Sequence, residues 1–395
     1  MPVTYSAHGV LPSLEHVYLE GVISQMPLDA LWGAWSIRKN NGDLAAIAHC
    51  FNSARWREIH AMNLFYANLS SRVETLWLHF LNKYLAYFHP SKYRISLALG
   101  RSFRFARLQA ENQSALPKQT NGPLVSVLMP LYNAGDTLEF AAASILSQTW
   151  QRIELLLIDD CSSDHSLEVA HALARHDARV KVIPLIKNGG PYIAKNVALS
   201  VALGDYITVH DADDWAFPTR IEDQLMPLLA SKELKVSMGY MLRMSPEGEV
   251  TRFTPACSYS PDGALRYCHP SLLFERRYFE TRLGAWDSVR IGADTEIIER
   301  IMHFEPNRMA VLEIPVMLQL DLANSLTRAE DTYIDERGAS PIRIAYRQAW
   351  ENWHNSNHNI PRLAFPQVRR AFAVPEGLQV HSLGADALVD GATRQ

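Results

Sequence analysis

Three carboxylates crowd the end of an apolar run in Val209-His210-Asp211-Ala212-Asp213-Asp214-Trp215. Neighbouring negative charges repel, and a hard divalent cation relieves them. Mg²⁺ and Mn²⁺ are usually held by one or two protein carboxylates completed by phosphate oxygens. Asp211 and Asp213 are therefore candidate metal ligands, and the cofactor they imply is Mn²⁺ or Mg²⁺ bridging to a diphosphate. The structural alternative is a charged turn with an aspartate capping a helix near Pro218. Two other Asp-x-Asp chemistries fit less well. A haloacid-type phosphatase wants Thr or Val where Trp215 stands, and a nucleotidyltransferase wants a Gly-rich basic loop where MPLYNAGDT has one Gly and no Lys or Arg.

Two more polar groups follow apolar runs: Pro130, Leu131, Tyr132, Asn133 and Ala134, then Asp159, Asp160, Cys161, Ser162, Ser163 and Asp164. A tyrosine ring can stack on a flat base while a carboxylate accepts a base N–H, which gives an apolar cleft its nucleobase preference. Each group alone reads equally well as turn residues or helix caps. His210, His269 and His303 are isolated histidines, read as structural, with His269 in Cys268-His269-Pro270-Ser271 a candidate to line an acceptor site. Trp32, Trp35, Trp350 and Trp353 are read as packing residues.

These groups need a scaffold that brings them to one edge. Residues 125–129 and 153–158 are short continuous apolar runs, the signature of parallel strands buried on both faces. Further strands are expected at 180–186 and 206–209, and helices at 137–148, 166–176 and 192–202. The resulting βαβαβαβ order builds an open sheet whose ligands lie at the carboxyl ends of the strands. Residues 13–109 have helical spacing, with Trp32, Trp35, Ile47, Trp56, Phe65, Leu76 and Phe80 recurring at helix-like intervals. The polar stretch 111–122 reads as a linker. The expected division is a helical N-terminal domain at 1–115, an α/β domain at 116–340, and a C-terminal helical extension with a loosely ordered tail at 341–395.

Composition narrows the class. A chain of 395 residues that is 48% hydrophobic is long enough for two cores. A net charge of −4 provides no basic field for a nucleic-acid backbone, so nucleic acid is not an expected partner. Cys50, Cys161, Cys257 and Cys268 form no CxxC pair, which points to a reducing compartment. The N-terminus has no signal-peptide pattern and no run reaches the ~18 apolar residues of a membrane span. The expected location is cytoplasmic, with a peripheral place at the inner face of the membrane as the variant. Residues 76–88 form a short apolar stripe that reads as core-facing rather than membrane-facing.

Taken in order, VSVLMPLYNAGDTL, IELLLIDDCSSDHS, KNGGPYIAKNVALSVALGDYITVHDADDW and GADTEIIERI resemble family 2 glycosyltransferases of the GT-A fold. The resemblance covers about residues 123–330. Within the family it is similar to enzymes of capsule and lipopolysaccharide assembly, through Asp213 to Pro218 and the late Ser325 to Thr327. It implies a Rossmann-like, mainly parallel sheet with a helical N-terminal domain and helical C-terminal extension. It also implies metal-dependent, inverting transfer from a nucleotide-sugar, a UDP-sugar first among donors, to a hydroxyl of a glycan or lipid-linked acceptor.

Carried over by position, the resemblance assigns Pro130, Tyr132, Asn133 and Asp160 to the nucleotide, Asp211 and Asp213 to ribose and metal, and Asp214 to donor sugar or metal. Asn188, Gly190, Lys195 and Asn196 match a donor-side segment in which Arg is commoner than Lys at the position of Lys195; Lys keeps the charge without the bidentate fork. Asp294, with Glu296 beside it, matches the motif that holds the family's general base. The local alternative makes Asp294 a helix N-cap. Residues 320–339, with Asn324, Ser325, Thr327, Arg328, Asp331 and Gly338, are expected to form a lid whose Arg328 meets the leaving diphosphate. The N-terminal domain is a candidate for membrane or assembly-complex contact. Two rival readings are a scaffold that has lost turnover and a sugar nucleotidyltransferase.

Overall fold

The computed structural model describes residues 56–89, 94–100, 103–111, 113–253, 260–323, 325–335 and 338–380. Trp32, Trp35, Ile47, Cys50, Cys257 and Asn324 lie outside the described residues. The described chain begins with helices α1 (Trp56–Leu69) and α2 (Glu74–Leu85), followed by a small pair of strands, β1 (Ile95–Leu97) and β2 (Leu108–Ala110). Then come β3 (Val125–Leu131), α3 (Leu138–Leu146), β4 (Ile153–Asp159), α4 (Ser166–His176), β5 (Val180–Pro184), α5 (Pro191–Val201) and β6 (Tyr206–Val209). This is the expected alternation, and β3 and β4 are buried at every residue because helices cover both of their faces.

The chain continues through β7 (Trp215–Ala216), α6 (Arg220–Ala230), β8 (Val236–Met244), β9 (Arg266–Tyr267) and β10 (Leu273–Glu275). It ends with α7 (Ala293–Phe304), β11 (Met309–Leu320), the short hairpin β12 (Ile334–Asp335) and β13 (Gly338–Ala339), and α8 (Pro341–Asn355). One nine-stranded sheet runs β5-β4-β3-β6-β10-β8-β11-β7, with β9 paired to β8. From β5 to β6 every pairing is parallel. Beyond β6 the sheet becomes mixed: β10 is antiparallel to β6 and β8, β8 and β11 are parallel, and β7 is antiparallel to β11.

The winding reverses between β3 and β6, because β4 and β5 lie on one side of β3 and β6 on the other. Open α/β sheets bind ligands at such a switch point, outside the carboxyl ends of the strands. The β3–β6 ladder stops at Leu128–Val209, two residues before Pro130. The N–H that proline lacks therefore has no ladder partner to lose on the β6 side.

The apolar stripe at 76–88 belongs to α2, which buries Trp77, Leu81, Tyr84 and Leu85 in a cluster shared with Val125, Val127 and Leu155 of the sheet. Polar contacts fasten α1 and α2 to the turn after β8. The Asn68 side chain donates to Val250 O at 2.9 Å and accepts from Val250 N at 2.8 Å, and Trp77 Nε1 donates to Gly248 O at 2.8 Å. The polar stretch at 111–122 is strapped to the sheet edge, where Gln119 N donates to Thr149 O and Gln119 O accepts from Gln151 N. On the other face, α8 and residues 360–380 pack over α5 and α7. The tail is docked as far as it is described: Leu378 is fully buried, Arg290 N donates to Leu378 O, and Val380 N donates to Ser288 O.

Candidate active site

Loops after β3 and β4 form one wall. Asn133 adopts φ +50° and its Oδ1 accepts from Ser163 N at 2.9 Å, while Asn133 N donates to Ser162 Oγ. Gly135 N donates to Asp164 Oδ2 at 3.0 Å and Ala134 N to Ser166 Oγ at 2.7 Å. Asn133 thus locks the two loops together rather than reaching outward. Tyr132, the residue after β3, is half exposed, while Pro130 is buried.

Asp160 holds the third loop. Its Oδ1 accepts from Gly189 N and its Oδ2 from Gly190 N, both at 2.7 Å, and the Asn188 side chain donates to Asp160 O at 3.0 Å. Burial raises the Asp160 carboxyl to about 6 against the opposing effect of those two amides. Gly190 sits at φ +80° as the residue before α5, a conformation that favours glycine. The neighbouring Asp159 keeps a buried Oδ1 without a hydrogen-bond partner. The carboxylate pair thus combines a fully bonded member with one holding an open acceptor, a division of labour not visible in the sequence.

β6 delivers the three carboxylates. Behind them His210 is completely buried, its Nδ1 accepting from Arg220 Nη1 at 2.8 Å and its Nε2 donating to Asp214 O at 3.2 Å. Burial, then the Arg220 charge, keep His210 neutral, and with both ring nitrogens engaged it is not a metal ligand. Arg220 also donates to Thr208 Oγ1 and Val209 O, bracing the end of β6. Sequence reasoning missed this brace, although an arginine early in a helix beside an apolar strand hints at it.

Asp214 is fully buried; its Oδ1 accepts from Leu320 N at 3.0 Å and its Oδ2 has no partner. Asp211 and Asp213 are partly buried. Burial is the main cause that raises all three carboxyls, with Asp213 reaching about 7 under the added charge of Asp211. The helix after this turn starts at Arg220 with Thr219 preceding it, so none of the three aspartates is its cap.

Among the described residues no three His, Cys, Asp or Glu side chains form a ready-made cation cage. The donor set suits a hard cation held by Asp211 and Asp213 and completed by ligand oxygens, and the unpartnered Asp214 Oδ2 is the atom that such a ligand set would satisfy.

The far wall carries Asp294, in the first turn of α7 after Gly292 at φ +88°. Gly292, not Asp294, is the cap residue. Lys195 Nζ lies 2.8 Å from Asp294 Oδ2 and 3.1 Å from Oδ1, with the lysine side chain 2% exposed and the aspartate 15%. The Tyr192 ring lies under the ammonium, 4.8 Å away, and Tyr192 Oη accepts from Gly292 N at 3.1 Å. Lys195 thus grips the base candidate. Its charge also lowers the Asp211 carboxyl while the charge of Asp294 raises it, so both lie within electrostatic reach of the metal-ligand candidates. His269 lies within electrostatic reach of both: burial lowers its imidazole most, and Asp294 and Lys195 then act in opposite directions.

Glu296 has a different role. It is fully buried, bonded to His354 Nε2 at 2.9 Å and paired with Arg300 at 3.1 Å. Asn196 is also structural, exchanging hydrogen bonds with the backbone of Trp286 at 2.9 and 3.0 Å. Arg328 donates from Nε and Nη2 to Asp321 at 3.0 and 2.7 Å, so the expected diphosphate contact is occupied by a carboxylate of its own loop.

A family model described as "Glycosyl transferase family 2" matches residues 126–267, spanning β3 to β9. An "Uncharacterized glycosyltransferase" of Haemophilus influenzae is 45% identical over 105 residues, 27% of this chain and 42% of that protein. "Putative glycosyltransferase EpsE" of Bacillus subtilis is 34% identical over 190 residues, 47% of this chain and 67% of its own. "Putative teichuronic acid biosynthesis glycosyltransferase TuaG" of the same organism is 33% identical over 145 residues, 36% of this chain and 58% of its own. The matched stretch spans less than half of the Haemophilus protein. The Rossmann-like sheet is of the GT-A type that the sequence implied. With the family match and a relative 34% identical over two thirds of its own length, the chain belongs to glycosyl transferase family 2.

Proposed function

We propose that the protein is a metal-dependent, inverting glycosyltransferase. It would move a sugar from a nucleotide-sugar, with a UDP-sugar as first candidate, to a hydroxyl of a glycan or lipid-linked acceptor in surface-polysaccharide synthesis. The observation that carries this reading joins two distant segments: Asp294 on α7 is paired with Lys195, and the charges of both act on Asp211 in the turn after β6. The names of TuaG and of a succinoglycan biosynthesis protein of Rhizobium meliloti support the polysaccharide context.

In this reading Tyr132 stacks on the base, and the Asp159–Asp160 pair and the 188–190 loop frame the nucleotide. Asp211 and Asp213, with Asp214 behind them, would hold Mn²⁺ or Mg²⁺. When bound, the cation supplies positive charge against the leaving diphosphate. In this reading Asp294 is the base that inversion requires. The acceptor oxygen bonds to the anomeric carbon as the carbon–phosphate-oxygen bond breaks, the bonding pair leaves with the nucleoside diphosphate, and the hydroxyl proton passes to the Asp294 carboxylate. Lys195 positions that carboxylate. Among the described residues no helix is long and apolar enough to cross a membrane. A cytoplasmic enzyme is our proposed setting, with a peripheral place at the inner membrane face as the variant.

The test is calorimetry of UDP binding with and without Mn²⁺, on the wild type and Asp213→Ala. Binding should require the metal and should lose that requirement in the variant. Mn²⁺-dependent affinity that survives Asp213→Ala would remove the metal assignment.

A further inference from the structure

Several cations around the proposed donor site are already engaged. Lys195 is paired with Asp294, Arg220 braces the end of β6, and Arg328 is held by Asp321. Arg252 donates to Ile334 O at 2.8 Å and Arg343 Nε to Thr332 O at 2.6 Å, so both tie down the loop after β11. Arg243 differs from these. It is 8% exposed, and its side chain makes one hydrogen bond, from Nη2 to Thr327 Oγ1 at 3.1 Å. Its buried Nε has no partner, and among the described residues no carboxylate pairs with it. A buried guanidinium with open donors is costly unless a ligand meets it.

The sheet sets this guanidinium beside the three carboxylates. β11 runs between β8 and β7, with Arg243 of β8 opposite Gln319 on one side and Trp215 of β7 opposite Leu318 on the other. Asp214 directly precedes Trp215, and its Oδ1 accepts from Leu320 N, the residue opposite Met244. Arg243 and the Asp211–Asp214 turn therefore flank the same short stretch of β11. The electrostatics agree: burial and neighbouring carboxylates raise the Asp213 and Asp214 carboxyls, and the Arg243 charge opposes the rise in both.

Charge and shape then select the ligand. A divalent cation among these carboxylates leaves no surplus positive charge for a diphosphate, and Arg243 is the nearby cation that no carboxylate has claimed. A guanidinium presents paired N–H donors in the geometry that phosphate oxygens accept.

We propose that Arg243 is a diphosphate-binding residue of the donor site, whose guanidinium donates to a phosphate oxygen of the nucleotide-sugar and stabilises the nucleoside diphosphate as it leaves. This inference rests on the proposed donor reading. As the bond between the anomeric carbon and the phosphate oxygen breaks, its electron pair goes to the departing diphosphate. A guanidinium already fixed beside that oxygen offsets the added charge without reorganisation.

The experiment is calorimetry on the whole protein with Mn²⁺. UDP is titrated directly, and uridine, which has the base and ribose but no phosphate, is read by its competition with UDP. Arg243→Gln should weaken UDP about 10-fold or more, since a charge-assisted hydrogen bond is lost, and should leave uridine unchanged. Arg243→Lys keeps the charge but not the fork and should fall between. Arg243→Met keeps the aliphatic stem and gives the same readout should the Gln variant unfold. Unchanged UDP affinity in the neutral variants overturns the inference. So does an equal loss for UDP and uridine, which would make Arg243 a strut that shapes the whole site. Failure of the donor reading would appear in the wild type itself, as no Mn²⁺-dependent UDP binding, and would take this inference with it.

Discussion

Replacing Asp213 with Asn should stabilise the metal-free protein while abolishing its function. Burial and the charge of Asp211 raise the Asp213 carboxyl from 3.8 to about 7 in the folded state. The folded state thus holds this proton more tightly than the unfolded chain does, and stability tied to it is fully present below pH ~4 and lost as pH rises through about 7. At pH 8 the buried carboxylate works against folding by at most about 4 kcal/mol. Asp213 is only partly buried, so solvent screening brings the expected figure to about 1–3 kcal/mol. Asn mimics the neutral acid and carries no such penalty. Urea unfolding in EDTA should therefore find Asp213→Asn more stable than wild type by about 1–3 kcal/mol at pH 8, with the gap closing as pH falls towards 4. Excess Mn²⁺ should reverse the order by binding the wild-type folded state alone. Equal stability at pH 8, or a gap that ignores pH, would refute the reasoning.

Asp294→Asn should leave Mn²⁺-dependent UDP binding nearly unchanged while lowering turnover by about 10²-fold or more, read by single-turnover kinetics; full activity would assign the proton elsewhere. Glu296→Gln should destabilise the fold by about 3–5 kcal/mol in urea unfolding, because Arg300 would lose its buried partner. If that variant instead stayed stable and lost only turnover, Glu296 would be catalytic. Tyr132→Ala should weaken UDP by roughly 2- to 13-fold in calorimetry, corresponding to about 0.5–1.5 kcal/mol of lost stacking. Unchanged affinity there would take the ring out of the base site.

The strands β3 and β4 were legible because burial on both faces leaves a continuous apolar run, and the three carboxylates stood out because nothing in a core tolerates them unaided. β8 was not legible: Val236–Met244 contains Gly239 and Arg243, whose tolerance inside a sheet depends on partners supplied by β11 and the late loop. The Lys195–Asp294 contact joins residues on separate helices, so no local spacing announces it. Glu296 and Asp294 look equivalent in sequence, and only the approach of Arg300 and His354 makes one structural. Arg328 was expected at the diphosphate because a lone arginine in a polar loop looks available, yet Asp321 at the end of β11 claims it. The border near residue 115 marks a change of sequence style, while α1 and α2 share a hydrophobic cluster with the sheet across it.

The most direct measurement of the central claim is product analysis from a panel of nucleotide-sugars incubated with the protein, with Mn²⁺ or with EDTA. Release of nucleoside diphosphate with Mn²⁺ and none with EDTA is the result that metal-dependent glycosyl transfer from the Asp211–Asp213 turn predicts. Formation of nucleoside triphosphate and sugar 1-phosphate when pyrophosphate is supplied would identify a nucleotidyltransferase, and no turnover of any donor with metal present would identify a scaffold; either outcome contradicts the account.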